Sequence, residues 1–371
     1  MRIVVSGGGT GGHIMPALAV AGALRELDAS AEILYIGSTS GMETQIVPKY
    51  GVAYQGVTAR KLRKLVSPST IGVALSLLKG YAEARTYLRA FKAQAVVSTG
   101  GYVAGATALA GARLRLPAVL LEGNAVPGRT NLLAARYASR VCVVFPETAA
   151  AFPKGKAVVT GLPLRAGVIL PESVTPQEAR CRLEGLRQDR FTVLVMGGSQ
   201  GARALNERMA ASGAKLVGAG AQVLHQTGER HLEAVRSAIR QQGLDEEKGY
   251  VTRPFLDAAE VPLALRAADM VVCRGGISTL SEVLASGLPA IVVPLPTAYA
   301  DHQTHNARAL ERAGAALLRP EAELTGDALA DDVLKLKENP EARARMSEAS
   351  RTMGRPDAAR DVARLTLDLI G

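Results

Sequence analysis

Three glycine-rich stretches stand where a strand-like run gives way to a helix-like one: SGGGTGGHIMP at 6–16, GGSQGA at 197–202 and RGGISTLSE at 274–282. Backbone of this kind turns tightly and presents a helix N-terminus, whose N–H groups suit a phosphate or diphosphate. Ser199, Ser278 and Thr279 add hydroxyls to those donors. Glu282 falls on the first turns of the third helix, where a carboxylate accepts two hydrogen bonds from a ribose diol. His13 stands at the mouth of the first helix, where the helix dipole disfavours an imidazolium and keeps the ring able to take a proton. Each residue has a plainer alternative: a packed or capping His, an ordinary tight turn, a solvated Glu.

Gly7, Gly9 and Gly12 satisfy the spacing GxGxxG, the dinucleotide fingerprint. That fingerprint also needs an acid at the end of the second strand to hold the adenosine ribose. Here the strand ends IGSTSG, which argues against a pyridine-nucleotide oxidoreductase. No DxD occurs, and the five His and three Cys show no ligand spacing, so no metal and no other cofactor is expected. Helix N-termini and Arg are then left to stabilise a departing nucleoside diphosphate. This chemistry suits a metal-independent glycosyltransferase. The base that would deprotonate its acceptor is His13, or else Glu122, a carboxylate at the end of a strand on the same side of the sheet.

Elements that could position these residues recur along the chain. RIVVS (2–6), EILYIG (32–37), AVVSTG (95–100), AVLLEG (118–123) and VCVVF (141–145) read as strands, with a helix near 16–27. The pattern restarts at FTVLVMGGSQG (191–201) and continues through MVVCRGG (270–276) and AIVVPLP (290–296). Strands separated by helices imply parallel sheets covered on both faces, hence an α/β protein of two doubly wound domains. We expect domains at 1–161 and 162–345, joined near TGLPLRAGV (160–168), with a C-terminal helix at about 346–371 packing back on the first. Apolar runs are broken well before the roughly 18 residues of a membrane span, and the N-terminus lacks the zones of a signal peptide. Cys142, Cys181 and Cys273 are expected to be buried free thiols, which with the missing signal peptide indicates the cytoplasm.

The net charge is +10, and it is uneven. Residues 1–161 hold 18 Lys/Arg against 7 Asp/Glu, whereas 162–371 hold 26 against 27. A basic first half suggests a polyanionic partner. Nucleic acid would call for aromatics among the basic residues, yet aromatics are 4% and Trp is absent. An anionic membrane surface is the better expectation. The stretch 60–92 carries eight Lys/Arg against Glu83 alone, with Ile71, Leu75, Leu78 and Leu88 at roughly helical spacing, interrupted by Gly72 and Gly80. Such a stripe suits a headgroup region, although a helix facing its own core has the same look.

Together the motifs become specific. GGTGGH (8–13), METQIVPKYG (42–51), STGGY (98–102), EGNAVPGRTN (122–131), MGGSQGA (196–202), CRGGISTLSE (273–282), GLPAIVVP (287–294) and DHQTHNA (301–307) follow one another in an order and spacing that spans most of the chain. The sequence resembles the N-acetylglucosaminyltransferases that make lipid II in bacterial peptidoglycan synthesis. The resemblance implies a GT-B fold, two Rossmann-like domains facing across a cleft. It also implies transfer of GlcNAc from UDP-GlcNAc to the C4 hydroxyl of lipid I, a MurNAc-pentapeptide on an undecaprenyl diphosphate, with inversion and without metal. The enzyme would sit peripherally on the cytoplasmic face of the cell membrane. By the same resemblance Thr10, Gly11, Gly12 and His13 would face the reacting sugar and the diphosphates, Asn124 would contact GlcNAc, and Tyr102 would lie near the acceptor. Arg165 and the backbone around Leu256 would hold the nucleotide, with Ser199 at the phosphates. Ile277, Ser278 and Thr279 would line the diphosphate, Glu282 would bind the ribose and Gln303 the GlcNAc hydroxyls. The sequence departs from the family pattern at Gly123, at Leu162 and Leu164, at Gly275 and Ile277, and at KLRKLV (61–66).

Overall fold

The computed structural model describes residues 1–59, 69–198 and 201–371, leaving aside the side chains of 69–75 and Tyr102. Residues 1–166 with 356–371 form one compact unit and residues 167–355 the other.

In the first unit β1 (Arg2–Ser6), α1 (Gly11–Leu27), β2 (Glu32–Ser38), α2 (Glu43–Ile46), β3 (Ala53–Val57), α3 (Ser69–Ala90), β4 (Ala95–Ser98) and α4 (Gly101–Arg113) follow in turn. They are succeeded by β5 (Ala118–Glu122), α5 (Arg129–Ala134), β6 (Arg140–Val143) and β7 (Ala157–Val159). The seven strands run parallel in the order β3-β2-β1-β4-β5-β6-β7. Alternate residues of each strand point to opposite faces. Ile3, Val5, Ile33 and Tyr35 therefore pack under Ile14, Leu18 and Leu24 of α1, while Val4, Leu34 and Ile36 meet Ala84 and Leu88 of α3. Both faces are covered, which is why these strands are almost wholly apolar. The last helix of the chain joins this unit and puts Val362 and Ala363 into the α1 face of the core.

The first helix starts earlier than expected. The sequence implies a helix near 16–27; α1 begins at Gly11 with Pro16 inside it. The extra turn is tied down from outside: the Thr99 hydroxyl donates to the His13 carbonyl at 2.6 Å.

The apolar stripe on α3 is also different. Leu88 is buried in the core while Leu78 is 66% exposed. Ten residues turn a helix to a point about 80° short of three full turns, and that offset puts Leu78 outside the buried row. The inward row is Ser76, Gly80, Ala84 and Leu88. Gly80 is a contact rather than a break, since a Cβ there would lie 2.2 Å from the Thr58 carbonyl oxygen. The side chains of Ile71 and Leu75, and Arg60, Lys61, Arg63 and Lys64 altogether, lie outside the described residues.

The second unit holds α6 (Pro176–Cys181), β8 (Phe191–Met196), α7 (Arg203–Gly218), β9 (Ala221–Gln226), α8 (Leu232–Gln241), β10 (Tyr250–Arg253) and α9 (Glu260–Ala267). Then come β11 (Met270–Cys273), α10 (Ile277–Ala285), β12 (Ala290–Val292), α11 (His302–Arg312), β13 (Ala316–Leu318), α12 (Gly326–Glu338) and α13 (Pro340–Met353). The chain ends in α14 (Ala358–Asp368), the helix that covers the first unit. Six parallel strands form the sheet β10-β9-β8-β11-β12-β13. Its core joins Val193, Val195 and Val272 to Leu205 and Met209 of α7 and Leu329 and Val333 of α12.

Inside that core lies a directional polar chain. Asn206 Nδ2 donates to the Thr227 carbonyl (2.7 Å), so its Oδ1 accepts from His225 Nε2–H (3.1 Å), and Tyr250 O–H donates to His225 Nδ1 (2.9 Å). Burial pushes the His225 pKa down to about 3.

Of the thiols, Cys142 and Cys273 are buried, and burial pushes each up to about 12. Cys181 is exposed instead, because it ends the short surface helix α6. No helix among the described residues is long and apolar enough to cross a membrane. The charge asymmetry follows the units: the first holds 21 Lys/Arg against 10 Asp/Glu, the second 23 against 24.

Candidate active site

At the carboxyl edge of the first sheet, the loops after β1, β4 and β5 come together. Thr10 is the N-cap of α1, and Gly11, Gly12 and His13 form its first turn, all partly exposed. The His13 N–H donates to the Thr10 carbonyl at 3.1 Å, while those of Gly11 and Gly12 precede any intrahelical acceptor. His13 Nδ1–H donates to the Thr99 carbonyl at 2.8 Å. A carbonyl only accepts, so in the neutral ring Nε2 is the nitrogen that carries the lone pair. Thr99 thus holds the helix through its hydroxyl and the ring through its carbonyl. Gly101 follows at φ 88°, and a Cβ there would come within 2.4 Å of the Gly8 carbonyl oxygen, so the two glycine loops interlock only through this residue type.

Glu122 ends β5 and is 4% exposed. Its Oε1 accepts from the Asn124 N–H (3.0 Å) and Nδ2 (3.4 Å), and its Oε2 from the Gly128 N–H (2.8 Å) and Asn131 Nδ2 (3.0 Å). Four donors from 124–131 fold that loop around one carboxylate and present Asn124 beside it. Tyr102 lies on the first turn of α4, and Arg165, half-buried, comes at the end of this unit.

The second unit gathers its candidates at the carboxyl edge of its own sheet. Ile277, Ser278 and Thr279 are the first turn of α10, partly exposed, and Glu282 follows one turn on. The loop before that helix is fixed by Arg274, which is 8% exposed. Its Nη1 donates to the carbonyls of Val293 (3.0 Å) and Pro294 (3.2 Å), and its Nη2 pairs with Glu321 at 2.5 Å. The neighbouring helix α11 presses on the same turn: Asn306 Nδ2 donates to the Gly275 carbonyl (3.1 Å), and Gln303 Oε1 accepts from the Leu295 N–H (3.0 Å). The Gln303 amide nitrogen is therefore the end suited to a sugar hydroxyl. Leu256 is 1% exposed, so only its backbone can meet a ligand. Ser199 lies outside the described residues.

A family model for the glycosyltransferase family 28 N-terminal domain matches residues 3–143, and one for the C-terminal domain of that family matches 192–362. The chain belongs to glycosyltransferase family 28. It is 38% identical to the UDP-N-acetylglucosamine--N-acetylmuramyl-(pentapeptide) pyrophosphoryl-undecaprenol N-acetylglucosamine transferase of Halalkalibacterium halodurans, over 97% of each chain. The Bacillus pumilus protein of the same name is 39% identical over 97% of this chain and 96% of that one. The crystal structure of Acinetobacter baumannii MurG superposes with a TM-score of 0.79 at 29% identity, covering 99% of both chains. A UDP-GlcNAc 2-epimerase from Neisseria meningitidis shares the fold, with a TM-score of 0.71 at 13% identity. The α/β architecture of two parallel-sheet units is thus the GT-B fold that the motif order implied.

Within this family fold, the sequence-derived residues of the first unit that are described collect at one sheet edge, except Arg165 at the end of the unit. Of those in the second unit, Ile277, Ser278, Thr279, Glu282 and Gln303 gather around α10 and α11, while Leu256 follows β10. Sequence reasoning missed Thr99, Arg274 and Asn131, which hold the site's loops without pointing at a ligand. STGGY, CRGGISTLSE and EGNAVPGRTN contained all three, but their roles need partners 86, 19 and 9 residues away. A cavity of about 700 Å³ in the second unit lies elsewhere, beside Asp269 and Pro289 at the amino ends of β11 and β12, and includes none of these residues.

Proposed function

We infer that this chain transfers GlcNAc from UDP-GlcNAc to the C4 hydroxyl of the MurNAc-pentapeptide of lipid I, giving lipid II for peptidoglycan synthesis, with inversion at the anomeric carbon. The observation that carries this reading is similarity over nearly the whole chain to transferases named for that reaction. His13 is the favoured base. With Nδ1–H committed to the Thr99 carbonyl, Nε2 takes the acceptor proton as the hydroxyl oxygen attacks the anomeric carbon. The bond to UDP breaks on the opposite face, and its electrons pass to the diphosphate. The α10 N-terminus with Ser278 and Thr279 stabilises that charge, joined by Ser199; Glu282 holds the ribose, and Arg165 and the Leu256 backbone the rest of the nucleotide. Thr10, Gly11 and Gly12 meet the reacting sugar, Asn124 and Gln303 hold its hydroxyls, and Tyr102 serves the acceptor. Glu122 suits loop organisation better than proton transfer, since both its oxygens already accept two hydrogen bonds.

The acceptor is a membrane lipid in this reading, so the protein docks peripherally on an anionic bilayer, at the cytoplasmic face. Support comes from exposed apolar side chains on three consecutive helices of the basic unit: Leu78 on α3, Leu109 on α4 and Leu133 on α5, with Tyr137 just beyond. Exposed Lys79, Arg89, Arg113, Arg129 and Arg136 stand on or beside the same helices. The deciding assay offers radiolabelled UDP-GlcNAc, UDP-glucose and UDP-galactose with a lipid I analogue, in excess EDTA and with added Mg²⁺. GlcNAc transfer at equal rates in both media is expected. Preference for another sugar would overturn the donor, and loss in EDTA would overturn the metal-free route.

A further inference from the structure

Glu43 is fully buried and lies beneath the first glycine loop. Its Oε1 accepts from the Ser38 N–H (3.0 Å) and the Ser38 hydroxyl (2.7 Å), and its Oε2 from the Gly9 N–H (3.4 Å). No ion pair reaches it among the described residues. Placing a carboxylate out of water without a cation is unfavourable, and an apolar side chain would fill the same space at less cost. Three glycines make room for this one group. A Cβ at Gly8 would lie 2.6 Å from Oε1, at Gly37 2.7 Å from Cγ and at Gly41 2.2 Å from Oε2.

The same loop is gripped from two other directions. Tyr35 O–H donates to the Gly7 carbonyl at 2.8 Å, and Gly101 packs against the Gly8 carbonyl. Gly7–Gly9 leads directly into the N-cap Thr10 and then His13. We propose that Glu43 is a positioning residue for the transfer reaction: its carboxylate fixes the Gly7–Gly9 backbone, and so the aim of Thr10, the first-turn N–H groups of α1 and His13. The proposal rests on the reading of Thr10–His13 as the substrate-facing turn. Glutamine is the informative replacement. It keeps the size, but in either orientation its NH₂ faces a donor, Gly9 N–H on one side or the Ser38 groups on the other.

The test compares the parent, Glu43→Gln and Ser38→Ala as full chains. It measures kcat with UDP-GlcNAc and a soluble lipid I analogue, UDP affinity by calorimetry, and amide hydrogen exchange across the first unit. For Glu43→Gln, kcat should fall about ten- to a hundredfold, because small misplacements of reacting groups have effects of that size. UDP affinity should stay within about twofold, since most of the residues assigned to UDP lie in the other unit, and exchange should accelerate over 8–13 but not in β1 or β4. Ser38→Ala, which removes one of the three donors, should shift the same quantities less and decides the matter if Glu43→Gln does not fold. Parent-like kcat in the folded variant, or acceleration spread evenly over the sheet, would make Glu43 a stability residue and overturn the proposal. If the parent itself transfers no GlcNAc, the functional reading fails, while the exchange pattern still decides whether Glu43 holds the loop.

Discussion

His13 and Glu122 show how a partner decides what a titratable side chain can do. Both stand at the carboxyl edge of one sheet, yet one has a ring nitrogen oriented by a carbonyl and the other has two oxygens already filled by its own loop. His13→Ala should lower kcat by roughly 10²–10⁴-fold with UDP affinity nearly unchanged, as expected for a group acting in the transition state. A weaker UDP complex with an intact kcat would make His13 a binding residue. In the second unit Glu282→Ala should weaken UDP binding roughly ten- to a hundredfold, the loss of hydrogen bonds to a charged acceptor; unchanged calorimetry would reduce Glu282 to a helix residue. His13 and Glu282 were legible in the sequence because they stand in or just after glycine-rich turns at helix N-termini, a local pattern. Thr99, Arg274 and Glu43 were not, because each acts through a partner distant along the chain, and nothing in a Thr or a Glu alone announces that.

At the scale of elements, apolar runs are informative where a strand is buried on both faces. β1 occupies 2–6 as its apolar run implies, and β8 closes at Met196, just where GGSQGA begins. Short or mixed strands escaped: β7 spans only three residues, and β9 reads AQVLHQ, with three polar residues that are nevertheless buried. The His225 chain explains that last case, since polar groups in a core are tolerated when each finds a partner. It also makes stability depend on pH. The folded pKa of about 3 lies below the ordinary value of 6.5, so between them the unfolded chain binds a proton that the folded chain refuses. The stabilisation is complete above 6.5 and declines as pH falls towards 3, by at most about 1.4 kcal/mol per unit. Melting temperatures measured from pH 7.5 to 5 should fall more steeply for the parent than for His225→Gln. Parallel slopes would mean that His225 is not held neutral.

For the whole molecule, charge and exposed apolar surface concentrate in the same unit. Composition revealed the charge, because a count needs no structure. It could not show which leucines face outward, and the spacing of Leu78 and Leu88 suggested a shared face that the helix does not provide. The exposed set instead draws on α4 and α5, segments whose sequence had carried no such signal. The two components predict separable behaviour. Lys79/Arg89/Arg113/Arg136→Ser should bind vesicles of anionic lipid about a hundredfold more weakly at low salt, since each cation near such a surface adds about 1 kcal/mol and some will be only partly engaged. That variant should lose affinity less steeply than the parent as salt is added, because screening acts on the interaction it has partly lost. Leu78/Leu109/Leu133→Ser should bind more weakly at every salt concentration while keeping the parent's salt dependence, because its loss is buried apolar area. Both should retain activity on a short-chain, soluble acceptor, since none of these side chains belongs to either loop cluster. Sedimentation with vesicles at several salt concentrations separates the two slopes. Parent-like binding by both variants would move the docking surface off these three helices.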